Sequence, residues 1–179
     1  MKILFLVIFV FSLSSFSYEI GKVTISGDCE SKSKPLETEI LDLHGKRIDV
    51  PLQIFLDKKN SKLIEREICS VRIPIQVKKN ESLIIKNIIQ DAETTLQDKT
   101  KAVLNLDVFA VGINPEVKLF VASQKSEKVH MSVSNKLIVT DCGQEIMLAI
   151  DSVIRIEGTG LGRVLSGKAS LDIISQSCK

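Results

Sequence analysis

Few side chains of this chain could take part in catalysis: the only histidines are His44 and His130, among many serines and carboxylates. A hydrolytic triad needs a histidine beside a serine and an acid. No serine lies in a Gly-x-Ser-x-Gly nucleophile elbow. His44 falls at a predicted turn and His130 on the polar face of a predicted strand, so we interpret both as exposed. The sequence therefore predicts no catalytic residue.

The four cysteines are Cys29, Cys69, Cys142 and Cys178. They lie far apart in the sequence and away from both histidines, whereas structural zinc sites usually contain short Cys-x-x-Cys pairs. An even number of cysteines in an exported chain predicts two disulfides, with three possible connectivities. We favour Cys29–Cys69 and Cys142–Cys178, because each pair closes one end of the chain locally. No metal site and no cofactor is predicted.

Residues 1–17 have the pattern of a secretory signal peptide. Met1-Lys2 is followed by an unbroken apolar run, residues 3–11, and by a short serine-rich segment that ends at Ser17. The apolar run is too short to span a bilayer comfortably. We therefore expect cleavage before Tyr18 and no membrane insertion of the mature chain. The mature protein, residues 18–179, is predicted to be secreted or periplasmic.

The composition argues against several classes of ligand. Lys and Arg number 24 and Asp and Glu number 22, so the net charge gives no global attraction to nucleic acid or anionic membranes. Outside the predicted signal peptide the aromatic residues are Tyr18, Phe55, Phe109 and Phe120, and there is no Trp. Surfaces that bind sugars or single-stranded nucleic acid usually stack the ligand on aromatic rings. We predict no nucleic-acid partner.

The mature chain is patterned as short β-strands. In residues 68–78, apolar and polar side chains alternate, which indicates one face in the core and one in water. Pro74 within that run predicts an edge strand or a bulge. Only residues 91–101 have a composition that suits a helix, and they are few. Nine or ten strand-like segments predict a single all-β domain, an antiparallel β-sandwich with a barrel-like variant as the alternative.

The last fifth of the chain predicts a C-terminal β-hairpin with a cysteine at each open end. Two alternating runs, residues 144–157 and 163–174, flank a glycine-rich break. If the two arms pair with their apolar faces on the same side, the residue numbers of opposite partners must add up to an odd number. The numbers of Cys142 and Cys178 add up to an even number, so a regular ladder would place these cysteines one residue out of step. Three explanations are open: a bulge, with Gly162 and Gly167 as candidates, frayed ends, or a different pairing.

Three elements of the sequence follow one another in a recognisable order. They are Gly27-Asp28-Cys29, then Arg66-Glu67-Ile68-Cys69, then Thr140-Asp141-Cys142-Gly143 before the last two strands. This order resembles the secreted family called domain of unknown function 4360, from filamentous fungi and some bacteria. The chain lacks the Trp and Pro that the family has before its Cys-Gly element. The resemblance implies a secreted, β-rich, cysteine-bearing protein and no particular activity.

Together these patterns predict an exported, non-catalytic β-sandwich that acts by binding or as a surface or envelope component. The sequence does not identify a partner; a protein could bind by strand addition at an edge of a sheet. Two alternatives stay open: a secreted hydrolase whose site assembles only in three dimensions, and a secreted inhibitor or effector. A cleft that gathers His44 or His130 with a serine and an acid would favour the hydrolase.

Overall fold

The computed structural model describes residues 18–29, 37–40, 45–60, 62–113 and 116–179, with the backbone alone at 37–40 and Lys136. The predicted signal peptide and His44 lie outside these ranges. The described residues form twelve strands and no helix, and residues 91–96, the start of the segment suited to a helix, belong to a strand. The strands are β1 (Tyr18–Ile20), β2 (Thr24–Gly27), β3 (Glu37–Ile40), β4 (Gly45–Val50), β5 (Phe55–Lys58), β6 (Ile64–Val77), β7 (Glu81–Leu96), β8 (Thr100–Ala110), β9 (Val117–Ser123), β10 (Glu127–Val139), β11 (Glu145–Gly158) and β12 (Gly162–Ser177).

The strands form two antiparallel sheets that pack face to face. Sheet A has the order β1–β6–β11–β8–β9, with β2 also beside β6. Sheet B has the order β10–β7–β12–β4–β3, with β5 also beside β12. The inner faces bury one continuous aliphatic core, to which Ile73 and Leu106 contribute from sheet A and Ile88 and Leu171 from sheet B. The architecture confirms the predicted β-sandwich.

The C-terminal hairpin needs correction, although both of its arms are strands. β11 pairs with β6 and β8 in sheet A, whereas β12 pairs with β7, β4 and β5 in sheet B. Residues 159–161 are therefore an arch that crosses between the sheets, so the two arms lie on opposite sides of the core. Of the three explanations for the even sum of Cys142 and Cys178, a different pairing is the one that applies.

Pro74 lies in an interior strand, which corrects the expectation of an edge or a bulge. β6 has β11 on one side and both β1 and β2 on the other. The register with β11 runs through Pro74 without a shift, and the interruption lies instead in the edge partner, between β1 and β2. There Gly21 donates its N–H to the Pro74 carbonyl at 2.8 Å. A Cβ at Gly21 would lie 3.1 Å from the proline ring, so glycine permits this approach.

Two disulfides, Cys29–Cys69 and Cys142–Cys178, connect parts of the chain 40 and 36 residues apart. They are the two pairs favoured from the sequence. The first attaches the end of β2 to the neighbouring β6, and Cys69 is fully buried on the core face. The second attaches the connection between β10 and β11 to the residue that follows β12. The bridges therefore lie in different parts of the sandwich.

Candidate binding groove

A groove of about 650 Å³ lies on the outer face of sheet B. Three adjacent strands, β10, β7 and β12, form its floor, and the connection between β4 and β5 forms one wall. The exposed polar side chains that line it come from β7, β10 and the connection between β4 and β5: Gln53, Asp91, Glu93, Lys128 and His130. We call this feature the sheet-B groove.

A bulge in β12 shapes the floor of the sheet-B groove. Ser166 is opposite Ala92 and Ala169 is opposite Gln90, so β12 has one residue more than β7 across this interval. Gly167 lies in the bulge, and a Cβ there would be 3.1 Å from the Asp91 carbonyl oxygen. A glycine at this point lets the two backbones approach and leaves no side chain to fill the depression. Gly167 was one of the two predicted bulge positions, although its partner strand is β7.

His130 and Asp91 form a hydrogen-bonded pair in the sheet-B groove. They are directly opposite each other on β10 and β7, and His130 Nδ1 lies 2.7 Å from Asp91 Oδ1. Both side chains are exposed, at 61% and 73%, in agreement with the interpretation of His130. Within the part of the chain that the structure describes, His130 Nε2 has no protein partner. An imidazole oriented through one nitrogen can offer the other to a ligand as donor or acceptor.

The serine of the sheet-B groove is already used by the fold. The Ser166 side chain is buried; its Oγ donates to the Leu52 carbonyl at 3.2 Å and accepts from the Ile54 N–H at 3.0 Å. These bonds hold the segment between β4 and β5 against β12. Among the described residues no serine hydroxyl is bonded to His130, so the His130–Asp91 pair has two of the three groups of a hydrolytic triad.

Three further polar side chains of the sheet-B groove have no side-chain hydrogen bond or ion pair within the described ranges: Gln53, Glu93 and Lys128. Glu93 and Lys128 are opposite each other on β7 and β10, two residues along each strand from the His130–Asp91 pair. The groove thus presents an amide, a carboxylate and an ammonium group to solvent. These groups can donate to and accept from a bound molecule without first breaking a contact inside the protein.

Part of the outer face of sheet B beyond the groove is satisfied internally. Arg47 donates to both oxygens of Asp172, at 2.8 and 3.2 Å, and Asn87 donates to Asp172 at 2.7 Å. Burial alone would raise the pKa of Asp172, but the hydrogen bonds from Arg47 and Asn87 outweigh it and lower this pKa below its ordinary value. Ser170 donates to Asp49 at 2.6 Å in the adjacent row. These polar groups, unlike Gln53, Glu93 and Lys128 of the groove, are engaged within the protein.

An apolar wall completes the sheet-B groove on the side away from β10. Leu165 lines the groove and is opposite Phe55 on β5; their exposed fractions are 44% and 39%. The Arg163 guanidinium lies 5.5 Å from the centre of the Phe55 ring. A ligand in the groove would therefore meet hydrocarbon as well as hydrogen-bonding groups.

β10 forms one edge of sheet B and borders the groove. Its backbone ladder within the described residues is with β7 alone, in unbroken register from Glu127 to Ser134. The register then shifts before Ile138, and Asn135 has a φ of 122° in this bulge. The outward side of β10 between Glu127 and Ser134 thus presents free backbone groups beside the open side chains of the groove.

Sequence patterns placed His130 correctly but missed its partner. Asp91 fell in the segment whose composition suits a helix, so its position on a strand opposite His130 was not expected. No group of three or more His, Cys, Asp or Glu with the geometry of a metal site occurs in the described ranges. The described residues likewise contain no helix able to cross a membrane.

Comparison with known proteins gives a weak likeness to solved structures. No family model matches the chain, and no curated protein is significantly similar to it. Among solved structures, the chain is similar to one described as TmCBM61 in complex with beta-1,4-galactotriose. The sequences are 11% identical, the TM-score is 0.29, and the likeness covers 87% of this chain and 88% of the other. A likeness at this level supports no inference about ligands.

Proposed function

We propose that this chain is an exported, non-catalytic binding protein that holds an extended segment of a protein partner along β10, with side chains of the segment in the sheet-B groove. The observation that carries the proposal is the continuity between the free edge of β10 and the open polar groups of the groove. In strand addition, main-chain hydrogen bonds supply affinity and pockets beside the edge supply specificity.

The chemistry of the groove suits a polypeptide. Asp91 and Glu93 are acceptors, Lys128 is a donor, and Leu165 adds an apolar contact. The mixture of charges fits a segment with side chains of both signs better than a polyanion. The scarcity of aromatic rings argues against sugars and single-stranded nucleic acid, which usually stack on them.

The periodicity of β10 matches a strand-like ligand. Lys128 and His130 are two residues apart and share the outer face, because side chains on a strand alternate between faces. A segment added beside β10 would place every second side chain on that same face, next to this row. The remaining side chains would point toward the other sheet, so recognition would depend on alternate positions of the partner.

The two disulfides support export, because such bonds form and persist in oxidising compartments. The predicted signal peptide and the resemblance to the domain of unknown function 4360 family agree with that location. We therefore place the proposed partner in the periplasm or outside the cell.

The proposal is tested by selecting binders from a phage-displayed random peptide library on residues 18–179. The affinity of an enriched peptide is then measured for the parent, for His130→Ala and for Lys128→Ala. Each substitution should weaken binding by roughly tenfold, the equivalent of one lost polar contact. Lys118→Ala, on edge strand β9 of sheet A, is the matched control and should bind as the parent does. Peptides with equal affinity for both groove variants and the parent would contradict the proposal.

A further inference from the structure

One end of the sandwich is a second distinct surface, which we call the loop end. Four connections meet there: residues 59–63 between β5 and β6, 97–99 between β7 and β8, 124–126 between β9 and β10, and 159–161 between β11 and β12. Residue 61 is the one position in them that the structure does not describe. The strand ends that these connections join lie side by side within sheet A or within sheet B, so the four connections are at the same end of the sandwich.

A buried lysine attaches the first loop to the last. Lys58 has an exposed fraction of only 1%, and its Nζ donates to the carbonyls of Asn60 and Gly160, both at 2.8 Å. Thr100 and the backbone of Asp98 lie so close to Gly160 that a Cβ there would be 2.3 Å from Thr100 Oγ1. The first, second and fourth loops are therefore packed on one another.

Backbone hydrogen bonds add to this attachment. Gly158 donates to the Leu63 carbonyl at 2.8 Å, and Gln97 donates to the Leu161 carbonyl at 3.1 Å. In the third loop, the hydroxyl of Ser126 accepts from the last N–H of β7 at 2.9 Å. The loop end is thus a connected platform, and a partner that binds it would pay little to order it.

The loop end exposes three large aliphatic side chains. The exposed fractions are 67% for Leu63, 56% for Ile64 and 43% for Leu161. Leu63 and Leu161 are each held by a backbone bond to another strand or loop, so their side chains project from fixed positions. Exposed apolar groups that are rimmed by polar ones mark interaction surfaces for proteins or membranes.

Positive charge surrounds these aliphatic side chains. The four loops carry Lys59, Lys62, Lys99 and Lys125, and their only acidic residue is Asp98. The Nζ of Lys59 also lies 3.3 Å from Oδ2 of Asp57, near the end of β5, and this ion pair is open to solvent. The strand ends next to these loops carry both acidic and basic side chains, so they change the net charge of the loop end little. The loop end is therefore positive, although the whole chain is nearly neutral.

We propose that the loop end docks on a lipid surface that carries anionic headgroups. Lysines near such a surface are attracted by its negative potential, and aliphatic side chains add stabilisation when they enter the boundary between headgroups and acyl chains. A soluble polyanion would attract the lysines but would leave Leu63, Ile64 and Leu161 in water. The combination of lysines with exposed aliphatic groups therefore favours a bilayer. Docking of this kind is peripheral and requires no spanning segment.

The test is flotation of residues 18–179 with vesicles of phosphatidylcholine, with and without phosphatidylglycerol. The protein should float with the anionic vesicles and lose binding as salt is raised. Lys62→Glu/Lys99→Glu and, separately, Leu63→Ser/Leu161→Ser should each weaken binding about tenfold or more. Lys79→Glu/Val111→Ser, at the opposite end of the sandwich, is the matched control and should bind as the parent does. Thermal unfolding of each variant checks that it folds.

Two outcomes would overturn the proposal. One is no flotation of the parent with anionic vesicles at low salt. The other is full retention of binding by Leu63→Ser/Leu161→Ser together with equal binding of parent and variant to heparin, which would assign the loop end to soluble polyanions. Neither outcome affects the sheet-B groove, whose residues are different.

Discussion

At the scale of single residues, Asp172 fixes the outer face of sheet B beside the groove. Arg47 and Asn87 donate hydrogen bonds to its carboxylate and lower its pKa below the ordinary 3.8, against the effect of burial. A carboxyl whose pKa is lower in the folded chain adds stability above the unfolded pKa. That contribution is lost as the pH falls through the lowered folded pKa.

Asp172→Asn should therefore reduce the free energy of unfolding at pH 7 by about 1.5–3 kcal/mol, the range for hydrogen bonds to a charged group. The measurement is urea denaturation of parent and variant at pH 7 and again well below pH 3.8, where the parent carboxyl becomes protonated and the difference should shrink. Asp91→Asn, whose carboxyl is 73% exposed, is the control with little expected change. An equal difference at both pH values would contradict this assignment.

Single residues also show how far sequence reasoning reaches. The exposure of His130 followed from its place in an alternating run, which is local information. His130 and Asp91 are 39 positions apart in the sequence. Their pairing depends on the register between β7 and β10, and no local pattern in the sequence specifies that register. The composition of that segment instead predicted a helix around Asp91. Glu and Gln favour helices, and Asp and Glu are uncommon in strands.

At the scale of elements, the crossing between β11 and β12 distinguishes this sandwich from one built of hairpins. Gly158 begins the crossing with a φ of 105°, and a Cβ there would lie 2.0 Å from the Lys99 carbonyl oxygen. Gly112, in the hairpin between β8 and β9, has a φ of 83° but no atom within 4 Å of its Cβ position. Both glycines have a positive φ, but they differ in crowding.

Gly112→Ala should cost about 1–2 kcal/mol, because an L-residue is strained at positive φ. Gly158→Ala should cost roughly 1–3 kcal/mol more, because the Lys99 carbonyl, in the connection between β7 and β8, has to move. Denaturation midpoints of the two variants, compared with the parent, provide the measurement. Equal losses at the two positions would show that the arch is not packed as described.

Alternating patterns found the terminal strands but not their partners. Period-two alternation requires only that one face of each strand is buried, and a hairpin and an arch both meet that requirement. Which sheet receives each strand depends on the whole set of strands. For the same reason Pro74 suggested an edge, since the break in the neighbouring edge strand that accommodates it lies about fifty residues away in sequence.

At the scale of the whole molecule, the disulfides close rings of 40 and 36 residues. In the loop-closure model each ring stabilises the fold by roughly 4 kcal/mol, comparable with the net stability of a small domain. Dithiothreitol should therefore lower the melting temperature strongly. Cys142→Ser/Cys178→Ser should lose stability without any reductant, and a parent melting temperature that reductant leaves unchanged would contradict this. Non-reducing peptide mapping checks the two pairs directly.

The whole molecule presents two surfaces with different chemistry. The sheet-B groove combines both signs of charge with a free strand edge, and the loop end combines lysines with exposed aliphatic groups. The first suits an extended polypeptide and the second a lipid surface. A protein with both could hold a partner beside a membrane in the envelope.

The central claim, strand addition at β10, is tested most directly by amide hydrogen exchange of residues 18–179 with and without a selected peptide. Added main-chain hydrogen bonds should slow the exchange of alternate amides between Glu127 and Ser134, while β9, at one edge of sheet A, exchanges as before. Protection of β9 or another surface, with β10 unchanged although the peptide is bound, would contradict the account.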